Sequence, residues 1–100
     1  MAIKENIREQ TRSKIKMPKR YQVLLYNDDF TPMDFVVEVL MKIFDKDEKT
    51  AVTLMLGIHE GSYAVAGVYP KDIARTKAVQ TVQWAREEGY PLKAEAVCEP

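Results

Sequence analysis

One hundred residues, 46% hydrophobic and 30% charged, suffice for one domain with its own core and exclude wholesale disorder. A single cysteine, Cys98, excludes an internal disulfide and suits a reducing cytoplasmic setting, and every apolar stretch is broken by charge, which argues against a membrane span or a secretion signal. The formal net charge is zero, yet residues 1–20 carry seven basic groups (Lys4, Arg8, Arg12, Lys14, Lys16, Lys19, Arg20) against Glu5 and Glu9, while the remainder carries eight basic and thirteen acidic side chains.

This split predicts a mobile basic extension over residues 1–19, partly helical around 4–12, followed by a core domain over 20–100. A basic arm on an acidic body is one way to contact nucleic acid. This arm, however, has no aromatic residue to stack on bases, and the body would repel phosphate, so a solvated or partner-docking tail is favoured over nucleic-acid binding.

Tyr21 to Tyr26 is rich in β-branched and aromatic residues and predicts a strand with Tyr21, Val23 and Leu25 on one face. Asn27-Asp28-Asp29 stops it. Thr31 then offers a capping hydroxyl, Pro32 fits a first helical position, and Asp34 falls where a capping-box acid would reach back to the Thr31 N–H. Phe35, Val36, Val39, Leu40, Ile43 and Phe44 recur at helical spacing, giving about three turns with one apolar stripe. Asp47 suits the cap of a second helix carrying Ala51, Leu54, Met55 and Ile58, which Gly61 ends.

Ser62 to Tyr69 alternates as a strand should, with Tyr63, Val65, Gly67 and Tyr69 on one side and Ala64, Ala66 and Val68 on the other. Pro70 opens a third helix, whose stripe of Ala74, Ala78, Val82 and Ala85 would lie close on a sheet before Gly89 stops it. Leu92, Ala94 and Ala96 alternate with Lys93, Glu95 and Val97 in a last strand. The predicted class is α+β: a small β-α-α-β-α-β domain with a three-stranded antiparallel sheet packed against three helices.

Two polar clusters stand out. Asn27, Asp28 and Asp29 are either ordinary turn residues or acceptors for a cation. His59, the only histidine, ends the second helix, where the helix field by itself accounts for it. The chain order lets the two clusters share one opening. Enzymatic readings are weak: one histidine makes an incomplete metal set, Ser62 and Thr31 occupy turn or cap positions, and Gly-rich phosphate loops are missing. No cofactor or metal is expected.

The run Asn27-Asp28-Asp29-Phe30-Thr31-Pro32-Met33-Asp34-Phe35-Val36, then Leu54-Met55-Leu56 with Ile58-His59, Ala64-x-x-Gly67, Lys77 and Pro91-Leu92, resembles the ClpS adaptor family over about residues 20–97. Such adaptors bind proteins with a large hydrophobic first residue and hand them to a Clp AAA+ unfoldase, of ClpA or ClpC type, for proteolysis. The resemblance implies that Asn27, Asp29 and His59 accept hydrogen bonds from a free α-amino group, with Asp28 favouring the cation. It further implies a pocket for the first side chain, Leu, Phe, Tyr or Trp, formed by Leu25, Tyr26, Thr31, Met33, Val36, Met55, Ile58 and Leu92, with Met33 gating out β-branched residues. Tyr26 stands where the family usually has an aliphatic residue, which is expected to narrow the pocket or add a hydroxyl to it. Asp72 and Lys77 correspond to positions that meet the unfoldase N-domain. The competing reading is a non-enzymatic protein-binding module whose basic tail contacts nucleic acid.

Overall fold

The computed structural model describes residues 18–100. The extension expected over 1–19, its helical stretch and any nucleic-acid contact by it therefore fall, except for Pro18 and Lys19, outside the described residues. Six elements follow in the expected order: β1 (Arg20–Tyr26), α1 (Met33–Lys42), α2 (Glu48–Glu60), β2 (Tyr63–Pro70), α3 (Lys71–Glu87) and β3 (Lys93–Cys98). The sheet is antiparallel throughout, in the order β2-β1-β3.

β1 is central because it supplies the bulk of one sheet face while its neighbours supply small residues. Val23 lies between Gly67 and Ala96, and Leu25 between Ala64 and Ala94. Both are fully buried, in one cluster with Phe35, Val36, Val39 and Leu40 of α1 and Ala51 and Ile58 of α2. α3 adds Ala74, Ala78 and Ala85 to that core. Small residues facing small residues let the helix approach the sheet closely.

Four local details differ from the sequence reading. The residue of α3 that completes the buried stripe is Thr81, not Val82, which is only partly covered. Thr81 tolerates complete burial because its hydroxyl donates to the Lys77 carbonyl at 2.8 Å, leaving no unpaired polar atom. The second concerns β2. Its register against β1 shifts between Val23 and Leu24, from Val23↔Gly67 to Leu24↔Val65, so Ala66 is an extra bulged residue. Cross-strand partners share a face. The bulge therefore puts Ala64 and Gly67 on the core side together, and Tyr63 and Val65 on the open side, which simple alternation could not.

Third, Thr31 does not cap α1. The cap position belongs to Pro32, whose carbonyl accepts from the N–H groups of Phe35 and Val36, and α1 begins at Met33. Fourth, Gly61 ends α2 with φ −104, without the left-handed turn a glycine stop suggests. Elsewhere the end signals act as read. Asp47 accepts from the Thr50 N–H at 2.8 Å. Gly89 takes a left-handed φ of 83, and the Tyr90 and Gly89 N–H groups bond the carbonyls of Ala85 and Arg86, a Schellman closure.

Candidate functional site

Asp28 organises the β1–α1 connection. Its Oδ1 accepts from the backbone N–H of Phe30 at 2.8 Å and of Thr31 at 2.7 Å, and its Oδ2 accepts from the Thr31 hydroxyl at 2.8 Å. A carboxylate is the stronger acceptor, so it takes both Thr31 groups that the capping box would have used. Partial burial works to raise the Asp28 pKa, but the bonds from Thr31 and Phe30 and the nearby Arg86 guanidinium outweigh it, and the net shift is downward. Asp28 is thus held as an anion within the turn, and the outward acceptors are left to its neighbours, Asn27 and Asp29, both exposed.

The far side of the site comes from α2. The Asn27 N–H donates to the Ser62 carbonyl at 2.9 Å, tying the end of β1 to the loop that follows α2. His59, in the last turn of α2, is exposed beside that tie. One cavity of about 200 Å³ lies between, lined by Tyr26, Asn27, Asp28, Asp29, Thr31, Met33, Val36, Met55, Ile58, His59 and Leu92. Val36, Ile58 and Leu92 are buried and form its apolar depth, Met33 and Met55 are its partly exposed sides, and Asn27, Asp29 and His59 are exposed polar groups on its wall.

The structure thus brings together every site residue expected for the amine and side-chain pocket except Leu25. That residue is wholly buried and off the cavity wall, because strand alternation turns it into the core beneath the helices. Tyr26 does line the cavity, but its ring is directed elsewhere. It shares the open sheet face with its cross-strand partners, lying 6.0 Å from the Tyr63 ring and 5.3 Å beneath the Lys93 ammonium, and its hydroxyl donates to Glu95 at 3.2 Å. The expected hydroxyl in the pocket is thus engaged by Glu95 on the open sheet face.

Asp72 and Lys77 line a separate shallow recess on the first turns of α3. Asp72 is exposed, whereas Lys77 is half-buried, donates to the Ile43 carbonyl and lies over the rings of Phe44 and Tyr69. One contributor escaped sequence reasoning. Arg86 donates to the carbonyls of Tyr90 at 2.6 Å and Leu92 at 3.1 Å, fixing the loop that delivers Leu92 to the cavity. Its signal was an arginine in a last helical turn, within reach of the carbonyls of the loop that follows. Among the described residues, no group of three or more His, Cys, Asp or Glu is arranged to hold a metal, and no helix is long and apolar enough to cross a membrane.

A recess with an apolar depth and acceptors at its mouth suits a ligand with a cationic head and a hydrophobic side group, which is the chemistry of a binding protein. The chain belongs to the ClpS family: the family model described as ATP-dependent Clp protease adaptor protein ClpS matches residues 16–95. It is 51% identical over 87 residues to the ATP-dependent Clp protease adapter protein ClpS of Hydrogenovibrio crunogenus, covering 87% of this chain and 84% of that one. It is 47% identical over 88 residues to the ClpS of Shewanella pealeana, covering 88% and 86%. Among solved structures, Agrobacterium tumefaciens ClpS2 bound to L-phenylalaninamide matches with a TM-score of 0.80 and 40% identity, covering 82% of this chain and 99% of that one. The protein is an adaptor of the Clp protease and not a catalyst.

Proposed function

We propose that this adaptor captures proteins whose first residue is Leu, Phe, Tyr or Trp, holding the free α-amino group with Asn27, Asp29 and His59 and burying the first side chain against Val36, Ile58 and Leu92. The observation that carries this reading is a cavity in which an apolar depth and exposed acceptors meet. At about 200 Å³ it exceeds the roughly 150 Å³ apolar cavity known to take up benzene, so a benzyl or isobutyl group fits. An α-amino group, with a reference pKa near 8, is mostly an ammonium with three donors at neutral pH. Each charge-assisted bond contributes on the order of 1.5–3 kcal/mol, and burial of a Leu or Phe side chain about as much again. That A. tumefaciens ClpS2 binds L-phenylalaninamide, a free amine next to a benzyl group, supports the same division of labour here.

Asp28 acts on the bound cation through its charge and through the shape of the turn. His59 accepts through a ring nitrogen. Met33, 43% exposed on the cavity wall, is the flexible gate against β-branched first residues. Delivery to the N-domain of a ClpA- or ClpC-type unfoldase in the cytoplasm runs through the α3 recess of Asp72 and Lys77, with residues 1–19 as the extension preceding the core.

Titration with a short peptide beginning with Phe tests the reading. Tight binding of the free peptide and loss of at least about ten-fold in affinity on N-acetylation is the expected result, since acetylation leaves the acceptors unmatched. Equal binding of both forms would overturn it.

A further inference from the structure

A second recess adjoins the cavity, lined by Phe30, Arg86, Gly89, Tyr90 and Pro91. The same two chain segments build both: the turn sends Asp28, Asp29 and Thr31 to the cavity and Phe30 to the recess, and the loop after α3 sends Leu92 to one and Pro91 to the other. Phe30 is 80% exposed, more than any other large hydrophobic residue among those described. The fold makes no use of its ring, which is outside the core cluster, and the hydrogen bonds of the turn need only its backbone N–H. The backbone that carries it is nevertheless fixed. The N–H is held by Asp28, and across the recess Arg86 holds the Tyr90 carbonyl while the Tyr90 ring packs edge-on against Phe35 at 4.9 Å. A bare aromatic ring on a braced turn, facing a braced loop across the recess, is a preorganised contact surface.

We infer that this recess is a second subsite, which takes apolar side chains from the residues that follow the captured first residue of a substrate. The inference rests on the reading of the cavity given above. A chain leaving the cavity mouth advances about 3.5 Å per residue, so its second and third residues pass over ground adjoining Phe30 and Pro91. The unfoldase is the less suited occupant. The recess sits at the C-terminal end of α3, fourteen residues and about 21 Å along the helix from Asp72.

Calorimetric titration of the full chain separates the two claims, using L-phenylalaninamide and two peptides that begin with Phe, one continuing with two Leu and the other with two Ser. The wild type is expected to prefer the Leu-continued peptide by on the order of five-fold, a preference lost in Phe30→Ser and largely kept in Phe30→Leu, with phenylalaninamide bound equally by all three. The same preference in Phe30→Ser, or none in the wild type, overturns the second subsite and leaves the cavity reading intact. So does a Phe30→Ser protein that keeps the preference but docks less tightly on an unfoldase N-domain. Failure of the wild type to bind phenylalaninamide overturns the cavity reading and the subsite with it.

Discussion

Because Asp28 accepts three hydrogen bonds inside one turn, the placement of Asn27 and Asp29 depends on a carboxylate remaining ionised. Its depressed pKa makes the sign of the pH effect definite. The stabilisation is complete above the ordinary aspartate range near pH 4 and is lost as pH falls through the lower folded-state value. Asp28→Ala is therefore expected to cost about 1–2 kcal/mol at neutral pH after solvent screening, measured by urea unfolding. The gap to wild type should close in acid. An unchanged gap at low pH would mean that the turn does not rely on the charge. The residue types at 27 to 29 were legible as turn formers or acceptors, and the resemblance set Asn27 and Asp29 apart from Asp28, but the inward bonds by which Asp28 organises the turn were not legible. Those bonds follow from which donors the folded turn presents, and Thr31 presents two.

At the scale of elements, the bulge in β2 decides which side chains the helices meet. It places Gly67 opposite Val23 on the core face, where the Tyr69 ring folds over it; a Cβ at position 67 would approach a ring carbon to 2.6 Å. Tyr69 in turn lies against Phe44 and beneath the Lys77 ammonium, so it links the end of α1 to α3. Gly67→Ala should push the ring out and destabilise the domain by about 1–3 kcal/mol, read as a lower midpoint in thermal or urea unfolding. A neutral result would mean that Tyr69 has a second resting place of equal energy. Helix and strand existence was readable from periodicity because one face of each element is buried. The bulge was not readable, since one extra residue leaves composition and apparent alternation intact while reversing every face beyond it.

For the molecule as a whole, the cavity is formed by three segments far apart in the chain: the end of β1 with the start of α1, the last turns of α2, and the loop before β3. A ligand that binds there binds only the folded state. L-phenylalaninamide at one hundred times its dissociation constant should therefore raise unfolding free energy by about 2.7 kcal/mol. N-acetyl-phenylalaninamide should produce no such shift in a calorimetric scan, and equal shifts would dissociate stabilisation from amine recognition. By itself the sequence determined the class, the order of the elements and most of their apolar faces, because periodicity is a local property, while the family resemblance carried by the run at 27–36 and the later motifs pointed to nearly all residues of the cavity. Tertiary structure alone decided that Leu25 backs the core instead of the cavity, that Tyr26 turns to the open face, that Arg86 fixes the Leu92 loop and that Phe30 stands bare beside the mouth. Those outcomes depend on strand register, bulge and carbonyl direction, which are set by contacts between distant segments and leave no mark on residue spacing.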